Sequence, residues 1–184
     1  MATVPEEQPT SALADTLAAC LREERAAQQR LYQQFYNALF AACLRYAPDH
    51  DTAKDLVNQA FLKIFRSLAS LHDHQAFPAW AKRIAINVCL DYVRRQPAQP
   101  YLSLDDSPEP AIMAAALDQI DEAALLGLVQ QLPPATRAVF SLFAVEGYNH
   151  AEIAVQLGMS EGTSRWHLSA ARKELKRLLQ NRQL

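Results

Sequence analysis

Residues 150–166, HAEIAVQLGMSEGTSRW, narrow the folds open to this chain more than any other stretch. Ile153, Ala154 and Leu157 fall on one side of a short helix. Gly158 follows them as a natural residue to close that helix in the left-handed conformation. Ser160 then stands where a hydroxyl caps the next helix. Two helices joined by so short a turn form a helix-turn-helix, which aims the second helix outward. An ordinary helical hairpin is the plainer alternative. The cations of the second helix weigh against it.

Stepping at ~100° per residue separates the faces of that second helix. Ser164, Leu168, Ala171, Leu175 and Leu178 fall inward. Trp166, Ser169, Ala170, Lys173 and Arg177 fall opposite, with Arg165, Arg172 and Lys176 on a flank. A bare Trp is costly in water, so Trp166 is expected to meet a partner. Either a major groove, where an aromatic touches thymine methyls or sugars, or a neighbouring helix would serve.

Elsewhere the apolar pattern is also helical. There are only 4 glycines, and no segment alternates as a strand does, so the chain is expected to be all-α. Residues 1–12 are polar with two prolines and are expected to be disordered. A helix is expected over roughly 14–46, with Leu31, Phe35, Leu39, Ala42 and Cys43 on its buried side. A second, over about 52–71, carries Leu56, Val57, Ala60, Phe61, Ile64, Phe65 and Leu68. The loop SLHDHQAF precedes a third over about 78–95, with Trp80, Ile84, Val88 and Tyr92 at four-residue steps. Pro97, Pro100, Pro108 and Pro110 then forbid a helix. Four more helices are expected at about 119–131, 134–145, 149–157 and 161–181. This gives two small helical domains, 13–95 and 118–184, joined by a flexible linker over 96–117.

The formal net charge is −2, from 18 basic and 20 acidic side chains, and by itself it argues against nucleic acid. The distribution argues the reverse. From Gln96 to Glu122 there are six acids and no cation, a charge of −6; residues 82–95 carry +3 and 161–184 carry +4. Segregation of this kind provides local anion-binding surfaces. Cys20, Cys43 and Cys89 are widely spaced, with no CxxC, and read as reduced, buried thiols of a cytosolic protein. The start of the chain lacks the apolar run of a signal peptide, and no later run is long enough to span a membrane. Asp105 and Asp106 stand in a Pro-rich linker without a pocket, so no catalytic residue is expected. His72 and His74 lack a third ligand nearby, so no metal site or cofactor is expected either.

The stretch from Leu128 to Leu175 resembles the promoter-binding fourth domain of sigma-70-type factors, and of the ECF group most closely. DTAKDLVNQAFLKIFRSL and FPAWAKRIAINVCLDYVRRQ resemble domain two of that group, in the right order and at the right separation. The resemblance implies three jobs. The helix carrying Asp55, Asn58 and Gln59 would dock on the β′ clamp helices of core RNA polymerase, and the β subunit would be a further partner. The loop 71–77 and the next helix, through Trp80, Lys82, Arg83, Asn87 and Arg94, would engage and open the minus-ten element. Arg165, Trp166, Ser169, Lys173 and Arg177 would read the minus-thirty-five element as duplex. The acidic linker would occupy the polymerase path otherwise used by RNA. Control would come from another protein, an anti-sigma factor.

The chain departs from the family pattern at several positions. Asp55, Leu56 and Val57 stand as in the usual Glu-Asp-Leu-Val-Gln-Glu, but Lys54, Asn58 and Gln59 replace its other members. Ala81 replaces a usual Leu, and Thr163-Ser-Arg-Trp-His167 replaces a usual Thr-Val-Lys-Ser-Arg. No promoter sequence is carried over. A stand-alone helix-turn-helix regulator, its first lobe a sensor or dimer domain, is the alternative from another class; it would need a two-fold dimer or a ligand pocket and would bind DNA without polymerase.

Overall fold

The structure is a computed structural model that describes residues 9–96 and 122–182; of residues 9–11, 122 and 182 only the backbone is described. The expected linker lies outside the described residues, apart from Gln96, as do residues 1–8 of the expected disordered stretch. Residues 9–12 of that stretch are helical. Among the described residues the regular elements are helices. They are α1 (Pro9–Leu21), α2 (Arg25–Leu44), α3 (His50–Ser67), α4 (Phe77–Arg94), α5 (Glu122–Val129), α6 (Pro134–Ala144), α7 (His150–Leu157) and α8 (Glu161–Arg182). Two 3-10 turns, Leu68–Ser70 and His74–Ala76, separate α3 from α4. Among the described residues no helix is long and apolar enough to cross a membrane.

The fold divides into two compact units. The first comprises the described parts of Met1–Cys43 with Lys54–Val88. The second comprises Leu44–Ala53 with the described residues from Cys89 onward. Hence the corner after α2 and the end of α4, which sequence assigns to the first lobe, cluster with the second unit.

In the first unit, the stripes expected on α2 and α3 are buried except at Phe35 and Phe65, which are half-buried. Leu31, Leu39, Leu56, Val57, Phe61 and Ile64 are each no more than 2% exposed. Fully burying a side chain of this size stabilises by about 1.5–3 kcal/mol, so these residues dominate the unit's stability. On the part of α4 in this unit the buried positions are Phe77, Ala81, Ala85, Ile86 and Val88, whereas Trp80 and Ile84 are only half-buried. Of the four-residue series, Val88 is buried as expected, whereas Trp80, Ile84 and Tyr92 mark the edge of the buried face and small alanines mark its centre.

The single helix expected over 14–46 is in fact two. The break falls at Arg22–Glu24, where there is neither glycine nor proline. Glu23 adopts φ 60°. Its N–H donates to the Cys20 carbonyl at 2.9 Å, and the N–H of Glu24 donates to the Ala19 carbonyl at 3.2 Å. These bonds close α1 as a Schellman motif normally built on glycine. Arg22 pairs with Glu24 at 2.8 Å across the turn.

The second unit is built around α6, which opens on Pro133–Pro134, where a missing N–H costs nothing. The carbonyls at the end of α2 and in the turn after it have no helical partners, and side chains of this unit supply donors. Gln130 Nε2 reaches the Leu44 carbonyl at 3.4 Å, Ser141 Oγ the Arg45 carbonyl at 3.1 Å, and Arg137 Nη1 the Tyr46 carbonyl at 3.1 Å. Arg137 is 3% exposed, and its other terminal nitrogen donates to the Leu132 carbonyl at 2.8 Å. A cation at a helix C-terminus also meets the negative end of the helix dipole.

Left-handed backbone costs an L-residue about 1–2 kcal/mol, while glycine there adds unfolded-state entropy worth about 0.4–1 kcal/mol. Glu23→Gly should therefore leave the urea unfolding midpoint unchanged or raised. Glu23→Val, branched at Cβ, should lower stability by roughly a further 1 kcal/mol. Equal midpoints for Gly and Val would show that the turn relaxes out of this conformation.

Candidate nucleic-acid interface

The helix-turn-helix is built from three locally specified ends. Asn149 caps α7: its side chain accepts the Glu152 N–H at 3.0 Å, and the Glu152 carboxylate accepts the Asn149 N–H at 2.8 Å. This capping box was missed in the sequence, although Asn149-His-Ala-Glu152 has its spacing. Gly158 closes α7 at φ 67°, ψ 39°, and the Met159 N–H returns to the Ala154 carbonyl at 3.0 Å. Ser160 then caps α8 through the Thr163 N–H at 3.0 Å. Both ends of the turn are as sequence predicts.

The seat of α8 is apolar, with two polar pins. Ser164, Ala171 and Leu175 are fully buried and Leu168 nearly so. Ser164 Oγ lies 2.9 Å from His150 Nδ1, and His167 Nδ1 lies 3.0 Å from Thr136 Oγ1. These two histidines fix α8 against α7 and α6 respectively. His150 also stacks on Phe143 at 4.9 Å between ring centroids, and the Arg172 guanidinium lies 5.9 Å from the centroid of the same ring. The sequence reading singled out neither His150 nor His167. Each lies beside the face it named, and a lone His carries no periodic signal.

Outward, Ser169, Lys173 and Arg177 are exposed, as is Arg165 on the flank. Trp166 is half-buried, its indole nitrogen is out of water, and its ring meets His167 edge-on at 4.8 Å. It is thus part seat and part surface. Arg165 pairs with Glu161 at 2.6 Å, and Arg177 with Glu174 at 2.6 Å. Exposed pairs one helical turn apart are worth only about 0.3–0.5 kcal/mol, so a phosphate can displace either carboxylate.

In the first unit Asp55, Asn58 and Gln59 are exposed on α3, beside Leu62, which is 56% exposed. Asn58 accepts a hydrogen bond from the Tyr32 hydroxyl at 2.9 Å, which fixes its amide. On α4, Trp80, Arg83 and Asn87 share a face, whereas Lys82 lies about 200° around the helix from Trp80 and is half-buried. Trp80 leans on Phe77 at 6.0 Å, and Phe77 meets Phe35 edge-on at 4.9 Å. Arg94 belongs to the second unit; it pairs with Asp91 and donates to the Gln156 carbonyl at 2.5 Å. Asp73 caps the second 3-10 turn through the Gln75 N–H at 2.8 Å. Among the described residues no three His, Cys, Asp or Glu side chains gather as a metal site. Cys20, Cys43 and Cys89 are free and buried.

Burial holds the imidazoles of His150 and His167 below the ordinary histidine value, and for His150 the cations Arg165 and Arg172 act in the same direction. The fold thus favours their neutral forms, and the unfolded chain takes up protons first. Their contribution is complete above about pH 6.5 and is lost as pH falls through that value towards the lowered folded ones. The melting temperature of the full chain should fall between about pH 7.5 and about pH 5.5, and His167→Gln should flatten the fall. An undiminished fall in a His150→Gln, His167→Gln double variant would refute this account.

The chain matches two family models: Sigma-70 region 2 over residues 31–98 and Sigma-70, region 4 over residues 122–175. It is 31% identical to the ECF RNA polymerase sigma factor SigM of Mycobacterium tuberculosis, over 90% of this chain and 84% of that one. It is 29% identical to a protein of Xanthomonas campestris named "Probable RNA polymerase sigma factor RfaY", over 92% of this chain but only 46% of that relative's length. A solved structure, the sigma factor RpoE in complex with the anti-sigma factor NepR from Bartonella quintana, is similar at TM-score 0.49 and 21% identity, covering 83% of this chain and 96% of that one. With both regions matched in order, and with the relationship to SigM, the chain belongs to the sigma-70 family, in its ECF group of RNA polymerase sigma factors.

Proposed function

We propose that the chain binds core RNA polymerase and directs it to promoters carrying two separated elements, acting as a DNA-binding initiation factor and not as an enzyme. The supporting observation is the seat of α8. Two histidine pins and a buried apolar stripe hold one side, while Ser169, Lys173 and Arg177 are exposed on the other. That is the arrangement a helix needs to enter a major groove in a fixed register. The cations hold phosphates, and Trp166 and Ser169 reach towards base edges of the minus-thirty-five element.

Asp55, Asn58 and Gln59 form the polymerase-docking surface, on the β′ clamp helices. Trp80, Arg83 and Asn87 engage the melted minus-ten element; a Trp face supports an unstacked base, and an amide pairs with its edge. Lys82 and Arg94 contribute charge along the backbone, Arg94 once it leaves the Gln156 carbonyl. The two sigma domains, 13–95 and 118–184, are joined by the acidic segment 96–117. The protein works where polymerase does, in the cytoplasm, and an anti-sigma factor is the kind of partner that would hold it inactive.

Co-purification with core polymerase, followed by run-off transcription on genomic fragments, tests this reading. Asp55→Lys should abolish co-purification while leaving the helical circular dichroism intact; undiminished recovery would sink the docking assignment. DNA binding as a dimer without polymerase would instead favour the stand-alone regulator.

In the holoenzyme, Trp166→Ala should cost about 1–3 kcal/mol on a selected upstream element and little on a scrambled one. Removing Lys173 should weaken both alike and lower the salt slope by about one unit. A Trp166→Ala variant that melts early and weakens both duplexes equally would assign that side chain to the core alone.

A further inference from the structure

Helix α1 precedes the region 2 match, which begins at residue 31, and has no role in the docking or DNA contacts proposed above. Its close neighbours are the two 3-10 turns, Leu68–Ser70 and His74–Ala76. Leu17 and Cys20 on α1 are 1% and 4% exposed, and Leu68 and Phe77, at the two ends of the loop, are buried as well. The remaining surface of the loop is polar and open, with His72, Asp73 and Gln75 exposed.

The loop's own hydrogen bonds are local. Leu71 N–H returns to the Leu68 carbonyl at 3.0 Å and Ala76 N–H to the Asp73 carbonyl at 3.1 Å. The Ser70 hydroxyl donates to the Ser67 carbonyl at 2.7 Å. Single 3-10 turns of this kind are too weak to hold a position alone and take it from what they lie on. Helix α1 offers a fixed support, because its end is closed by the Schellman bonds around Glu23. A left-handed non-glycine residue persists only where its surroundings over-determine it.

We infer that α1 is a positioning element for this loop: it sets the register in which His72, Asp73 and Gln75 meet a melted promoter strand, and so helps decide which bases are accepted. The inference rests on the reading that loop 71–77 engages the minus-ten element. An imidazole, a carboxylate and an amide can each hydrogen-bond the edge of an unstacked base, and such contacts discriminate only when held in one geometry. The polymerase-docking residues of α3 lie outside the loop and should not respond.

The test uses holoenzyme reconstituted with the full chain. Open-complex formation is measured on the strongest promoter recovered by run-off transcription and on the same fragment with its minus-ten positions scrambled. Association with core polymerase and thermal melting are measured alongside. Leu17→Ala should lower the selected-over-scrambled ratio on the order of ten-fold, because small misplacements of contact groups are amplified in this way. Polymerase association should stay within about two-fold, and the volume-conserving Leu17→Met should restore the ratio.

His72→Ala and Gln75→Ala serve as loop controls. If they lower the ratio and Leu17→Ala does not, the loop reads DNA without help from α1 and the inference is overturned. If neither lowers the ratio, the reading of the loop itself fails, and the inference fails with it. If ratio, polymerase association and melting temperature fall together in Leu17→Ala, and Leu17→Met recovers none of them separately, α1 is structural support only.

Discussion

Between Leu157 and Glu161 the chain must end one helix and begin another within three residues, and it does so through a left-handed glycine at φ 67° followed by a serine cap. That geometry sets the direction of α8. With the direction set, the spacing Ser164–Leu168–Ala171–Leu175 brings one stripe into the core, and the opposite row is left outside. A side chain at position 158 would strain the turn through its backbone conformation, even though open space surrounds the glycine. The constraint is therefore one of torsion and not of packing.

The polar contacts around α8 fall into two classes of very different strength. The His167–Thr136 and His150–Ser164 contacts are buried or partly buried, where an unmet polar group costs about 1–3 kcal/mol. They fix position. The Arg165–Glu161 and Arg177–Glu174 pairs stand in water and are worth a fraction of that. They hold the cations in loose readiness and yield to a stronger anion. A helix that must hold its register while exchanging its outer partners needs this contrast. Trp166 bridges the two classes, edge-on to a pin residue and half open to solvent.

Much of this was legible in the residues. The centres of the stripes of α2, α3 and α8, the turn at Gly158 and the cap at Ser160 all follow from local spacing and chemistry, while Phe35, Phe65 and Leu178 are only half-buried. What escaped has a common cause. The break at Glu23 uses a residue that sequence gives no reason to place in a left-handed turn. The centre of the α4 seat is alanine, whose weak apolar signal is masked by the larger Trp80, Ile84 and Tyr92 at its rim. Arg137 is a cation in the second unit's core, held by the Tyr46 carbonyl, distant in sequence, and by the nearby Leu132 carbonyl. Periodicity reads none of these, and the last two depend on partners brought near by the fold.

By itself the sequence determined the helical class, the helix-turn-helix and its outward cations, because those depend on interactions within a few residues of one another. Its two family motifs likewise pointed to the sigma factors. Only the tertiary structure decided which side chains pin α8, that Lys82 is half-buried, and that α1 lies against the loop before α4. Burial is a property of neighbours: a histidine or an arginine reads the same along the chain whether it meets water, a hydroxyl or a helix end, and only the assembled fold chooses among them.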